Sequence, residues 1–156
     1  VNFDFVHRPH NNMLFNLFMT RSRESFMDDC ISHKDVRSMM RSLRKGRVLW
    51  YAPDQDYGPQ DSVFVPFFNI PTATITATSR ISAMAKAAVI PISFVRDSGR
   101  YKVTVYEPLD IPSGDDVQDA TQFNEWVESI AKQYPEQYLW LHKRFKTRPE
   151  GEAKLY

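Results

Sequence analysis

Hydrophobic and polar positions alternate between two periods along this chain, and the switches mark its elements. Phe3 and Phe5 alternate with polar partners, and the stretch from Val1 to Val6 reads as an interior strand. Arg8-Pro9-His10-Asn11-Asn12 interrupts it, with Pro9 and Asn11 suited to a turn and a helix cap. Met13, Leu14, Leu17 and Phe18 then recur at helical spacing, and Phe15 and Met19 widen the apolar face almost all round. Val36, Met39, Met40 and Leu43 mark one face of a second helix, Arg37, Arg41, Arg44 and Lys45 the other, and Gly46 is its stop. Val48 to Ala52 is a continuous apolar run, the pattern of a central strand buried on both faces. Val63 to Phe68 contains Pro66 and reads as an edge or irregular strand. Thr74 to Ala87 predicts a helix, although its threonines oppose one. Ala88 to Val95 predicts another buried strand, paired through the Asp97-Ser98-Gly99 turn with Tyr101, Val103 and Val105. Ser113 to Asp116 offers caps for a long helix whose face is Ala120, Phe123, Val127, Ile130, Ala131 and Tyr134. Pro135 to Phe145 opens with proline at a helix start and is aromatic and basic. The expected fold class is α/β, a central mixed sheet with helices on both faces, in one domain over residues 1–156.

Composition narrows the function. At 42% hydrophobic and 25% charged residues the chain has a globular balance. Its 20 Lys and Arg against 19 Asp and Glu leave a net charge of +1, so no bulk positive field argues for a nucleic-acid partner. The single cysteine, Cys30, cannot form an internal disulfide and lacks local signs of activation. No run of about 20 apolar residues is present to cross a bilayer, since the longest stretch, Ala87 to Val95, is interrupted by Pro91 and Ser93. The chain begins with Val1 rather than Met, and is expected to be the later part of a longer protein.

Two places carry candidate chemistry. Sites in open α/β sheets lie beyond the carboxyl ends of strands, which points to the loop Pro53-Asp54-Gln55-Asp56-Tyr57-Gly58-Pro59. Asp54 and Asp56 there can orient a base, meet an arginine or share a cation; equally, Asp is a common turn former. No His or Cys spacing completes a metal site, and none is expected. The second place is Arg21 and Arg23, whose planar forks suit phosphate or carboxylate. They belong to a basic front, nine Lys and Arg against five Asp and Glu in the first 51 residues. Asp110 to Glu128 is the reverse, with six acids and no base. The Arg37 to Arg47 stripe is either an ordinary solvated helix face or a patch for anionic headgroups or an acidic partner.

Three strings carry a family resemblance: Arg8 to Asn12, Leu49-Trp50-Tyr51-Ala52-Pro53-Asp54-Gln55-Asp56-Tyr57-Gly58, and Pro135-Glu136-Gln137-Tyr138-Leu139-Trp140-Leu141-His142-Lys143-Arg144-Phe145-Lys146-Thr147-Arg148-Pro149. In this order they resemble the late acyltransferases of lipid A biosynthesis, in particular the lauroyl-transferring branch. The resemblance covers essentially the whole chain, and implies a glycerolipid-acyltransferase-like α/β fold, here partial. It implies an enzyme at the cytoplasmic face of the Gram-negative inner membrane, peripheral through this part. Its partners would be acyl carrier protein bearing a fatty acyl thioester and a Kdo-bearing lipid A precursor, with no cofactor. A His-x4-Asp/Glu pair would deprotonate the 3-hydroxyacyl hydroxyl that attacks the thioester.

That pair is not in this chain: His7 leads to Asn12, His10 to Phe15, His33 to Ser38 and His142 to Thr147. The resemblance places it, with a membrane anchor, upstream of Val1. The positions that carry over are Arg23 and Asp54 as catalytic residues, with Arg21 and Asp56 as substrate-binding neighbours. Met13 to Met19 would line an acyl groove, rest on the membrane or pack in the core. Trp140 and the Arg144 to Arg148 cluster would lie at the membrane interface.

Overall fold

The computed structural model describes residues 2–156, so Val1, where the opening strand was expected to begin, lies outside the described residues. The chain divides into two compact units, the first ending at Ala52 and the second running Pro53–Tyr156.

In the first unit the order is β1 (Phe3–His7), α1 (Met13–Glu24), β2 (Asp29–Ser32), α2 (Val36–Arg44) and β3 (Val48–Trp50). The strands form a parallel sheet in the order β2-β1-β3. Successive side chains of β1 point to opposite faces. Asp4 meets Ser42 of α2 on one face, and Phe5 lies under Arg23 of α1 on the other, so a helix covers each face. Asn12 caps α1 by accepting from the Phe15 N–H at 3.0 Å, and Asp35 caps α2 by accepting from the Ser38 N–H at 3.0 Å. Met39 and Met40 are buried, whereas Arg37, Arg41 and Arg44 are exposed, as the amphipathic pattern of α2 predicts.

The second unit contains β4 (Ser62–Phe67), β5 (Ile70–Ile75), α3 (Ala77–Ala85), β6 (Ile92–Asp97), β7 (Arg100–Val105), α4 (Asp116–Gln133) and a short 3-10 helix, Trp140–His142. β4 and β5 form one antiparallel hairpin, β6 and β7 another. Phe68 and Asn69 both take positive φ, 51° and 61°, which closes the first hairpin in two residues. α4 packs on β4. Val65, Phe67 and Ala73 of the hairpin are buried, as are Ala120, Val127 and Ala131 of the helix.

The α/β class holds, but one central mixed sheet does not: the described strands form three sheets. Both hairpins pair sequence neighbours, and Pro66 stands opposite Pro71, removing ladder donors on each strand of the first. The apolar run after Gly46 gives an edge strand, not a central one, and β1 takes the centre. Thr72, Thr74 and Ile75 go into β5, because β-branched side chains favour the pleated surface, and the helix starts only at Ala77. Pro91 breaks the expected strand from Ala88: Val89 makes an isolated bridge to Leu109, and β6 begins at Ile92. β2 has no clear periodic signal, and the Pro135 segment forms turns with one 3-10 turn rather than a helix.

Candidate functional site

Arg21 and Arg23 lie in the last turn of α1. Arg21 is exposed and Arg23 half-buried. The Arg23 guanidinium carbon sits 4.7 Å from the centroid of the Phe5 ring, and Phe5 stacks on Trp50 at 4.4 Å with the planes 6° apart. The stack is a register consequence, since Phe5 and Trp50 are direct partners between β1 and β3. One terminal nitrogen of Arg23 is buried with no hydrogen-bond partner. A planar cation held by an aromatic face with a donor unspent is equipped to take an anionic oxygen. His7, at the carboxyl end of β1, and His33 each bury an unpartnered Nδ1. Burial, followed by the charges of Arg23, His10 and His33, holds His7 below the usual imidazole range. Burial pushes the Cys30 thiol up, so it stays protonated, in keeping with an inert cysteine.

The motif Arg8 to Asn12 is folded around α1: the His10 N–H donates to Asn16 Oδ1 at 2.9 Å, and the His10 ring meets Phe15 edge-on at 4.7 Å. α1 has no buried residue; Leu14 is 80% and Phe18 67% exposed. Of the three roles expected for its apolar face, core packing within the described residues is thereby removed. Arg47 is engaged with buried Asp4 at 2.9 Å, leaving Arg37, Arg41, Arg44 and Lys45 as the solvated part of the basic stripe.

Asp54 and Asp56 belong to the second unit, and both are half-buried. Asp56 Oδ1 accepts from the Gly58 N–H at 2.9 Å and from Thr147 Oγ1 at 2.8 Å. Its Oδ2 accepts from the Thr147 N–H at 2.7 Å. The Asp54 carbonyl accepts from the Tyr138 hydroxyl at 3.4 Å. Burial, and then the charge of Asp54, push the Tyr138 hydroxyl up to about 12, so it remains a donor at neutral pH.

Arg144 is 2% exposed. It donates to the Ala73 carbonyl at 2.6 Å, to Thr74 Oγ1 at 3.0 Å and to Asn124 Oδ1 at 3.2 Å. Arg148 donates to the Pro71 carbonyl at 2.6 Å and pairs with Glu152. The expected interfacial role of the Arg144 to Arg148 cluster is therefore corrected for Arg144, which is spent inside the protein; Arg148 is half-buried and keeps an unpartnered Nε, while Lys146 and Leu141 are exposed. Sequence reasoning gave no role to Tyr138 or Thr147, whose only signal was membership of the Pro135 to Pro149 string, and gave Arg144 an interfacial role instead of its buried one. Among the described residues no group of three or more His, Cys, Asp or Glu could hold a metal ion, and no helix is long and apolar enough to cross a membrane.

A family model described as bacterial lipid A biosynthesis acyltransferase matches residues 2–147. The chain is 41% identical over 155 residues to a lipid A biosynthesis lauroyltransferase of Escherichia coli strain K12, covering 97% of this chain and 51% of that protein. It is 39% identical over 154 residues to a palmitoleoyltransferase of lipid A biosynthesis from the same strain, covering 97% and 50%. A myristoyltransferase of lipid A biosynthesis from that strain is 34% identical over 153 residues, covering 94% and 47%. The chain thus spans about half the length of these relatives.

Proposed function

The chain belongs to the bacterial lipid A biosynthesis acyltransferase family, and on that premise we propose that its protein transfers a fatty acyl chain from acyl carrier protein to a 3-hydroxyacyl hydroxyl of a Kdo-bearing lipid A precursor. The domain is read as the later part of a glycerolipid-acyltransferase-like fold. A His-x4-Asp/Glu pair upstream of Val1 takes the proton of the acceptor hydroxyl. The oxygen attacks the thioester carbonyl, the thiol of the carrier leaves with a proton, and an ester is formed. No metal or nucleotide enters this scheme.

Arg23 carries the reading. Its buried, unpartnered nitrogen is a donor set aside for an anionic oxygen, either the oxyanion of the attacked carbonyl or a phosphate of the acceptor. In the second unit Asp54 pairs with a cation, and in the first Arg21 is the substrate-binding neighbour of Arg23. The exposed apolar face of α1 supplies peripheral contact with the cytoplasmic leaflet of the inner membrane, or with the acyl chain itself.

The test is acyl transfer from acyl carrier protein by the full-length protein. Arg23→Ala should lower kcat/KM by about 100-fold, the usual scale for losing a donor aimed at developing charge, and Asp54→Ala by about as much through loss of the carboxylate that fixes the site's geometry. Near-normal rates in both variants overturn the assignment. A full-length protein that binds the acylated carrier without transferring its chain would instead be a non-catalytic binding module.

A further inference from the structure

The acidic loop is not held by its own turn alone. Pro135 to Arg148 runs as a strap within the second unit, and it is fastened to the rest of that unit at several points. Gln137 takes the main chain of Arg96 on both sides, accepting from its N–H at 2.7 Å and donating to its carbonyl at 3.1 Å. Arg144 enters the core and binds β5 and α4 through Ala73, Thr74 and Asn124. Arg148 closes the far end on Pro71. Between these fastenings, Tyr138 and Thr147 reach the loop: Thr147 takes both carboxylate oxygens of Asp56, and Tyr138 takes the carbonyl of Asp54.

The two aspartates are therefore held differently. The strap grips Asp56 by its carboxylate and Asp54 by its main chain. A carboxylate that already accepts three internal hydrogen bonds has little acceptor capacity left for a substrate, whereas a main-chain grip fixes where a side chain starts without consuming it.

We propose that Thr147 and Tyr138, anchored by Arg144, are positioning residues that use Asp56 as a handle to set the direction in which Asp54 presents its carboxylate. This rests on the reading of Asp54 as a functional group. It makes Asp56 an internal tie in place of the substrate-binding role that the family resemblance implies for it. A misplacement of about 1 Å at a reacting group costs on the order of 100-fold in rate, so even a partial loosening of the loop is measurable.

The experiment uses the full-length enzyme and three single variants, Thr147→Val, Thr147→Ser and Asp54→Ala, together with the double variant Thr147→Val/Asp54→Ala. Thr147→Val removes the hydroxyl tie but keeps the N–H, and should lower kcat about 10-fold with KM for either substrate within about 2-fold. Thr147→Ser keeps the hydroxyl and should restore most of the rate. In the Asp54→Ala background the valine should cost nothing further, because its effect passes through Asp54. Hydrogen exchange at the Gly58 and Thr147 amides should quicken in Thr147→Val, showing the loop loosened without reference to turnover. If Thr147→Val keeps its wild-type kcat while Asp54→Ala loses it, the positioning role is overturned and the function of Asp54 stands. If the valine lowers the rate equally with and without Asp54, it acts elsewhere and the proposal fails. If Asp54→Ala is fully active, the reading of Asp54 fails, and the role proposed for the strap falls with it.

Discussion

Arg144 shows how much one side chain decides in this protein. It is the one fully buried basic residue among the described residues, and it faces a main-chain carbonyl, a hydroxyl and an amide oxygen rather than a paired carboxylate. Burial lowers its pKa from the ordinary range, while the nearby Tyr138, Asp56 and Asp54 oppose that shift, so it remains a cation at neutral pH. Its guanidinium also lies 5.6 Å from the centroid of the Phe67 ring, which is itself fully buried. Arg144→Met keeps an apolar stem of similar length but leaves Ala73, Thr74 and Asn124 short of a donor. The expected cost is about 2–4 kcal/mol in urea unfolding of the full-length protein. In sequence this arginine was indistinguishable from its surface neighbours Lys143 and Lys146, because a basic cluster carries no mark of which member turns inward.

At the scale of elements, the tie between α4 and the first hairpin is the most testable. Glu128 of α4 accepts from the Phe68 N–H at 2.7 Å, at the hairpin tip, and pairs with Lys132 one turn on. The Lys132 contact first, and the Phe68 N–H second, hold its carboxyl below the usual range. A carboxylate whose folded pKa is depressed contributes stability above its unfolded value, about 4.3 for Glu, and loses it as pH falls through the lower folded value. Stability against thermal unfolding should therefore fall below about pH 4, with a lower Tm. Glu128→Gln should be less stable than wild type at pH 7, with the difference shrinking as pH falls through that window. An unchanged difference down to pH 2 would remove Glu128 from the account. The helix itself was legible, since a 3.6-residue period and the Asp115 cap both announce it. The hairpin was only half legible, because Ile70 to Ile75 lies on the β side of a strand-to-helix boundary that alanines and threonines blur.

For the whole molecule, the near-zero net charge conceals an uneven distribution: the front is basic, and the excess acid lies after Ala52. The proposed chemistry is uneven in the same way, since this chain supplies an arginine and an aspartate but no His-x4-Asp/Glu pair. The 156-residue chain by itself is expected to give no acyl transfer from acyl carrier protein, and turnover by it would disprove the need for an upstream base. The sequence by itself determined the α/β class, α2, α4 and the hairpin after Asp97, because periodicity, caps and turn residues are local and survive without their neighbours. It also determined the family, since long ordered strings carry information that no single spacing does. The tertiary structure decided which strand is central, how the sheets separate, and which charges are spent inside. Those outcomes rest on pairing and burial between residues far apart in sequence. Asp56 and Thr147, 91 residues apart, are joined only when the strap folds back onto the loop.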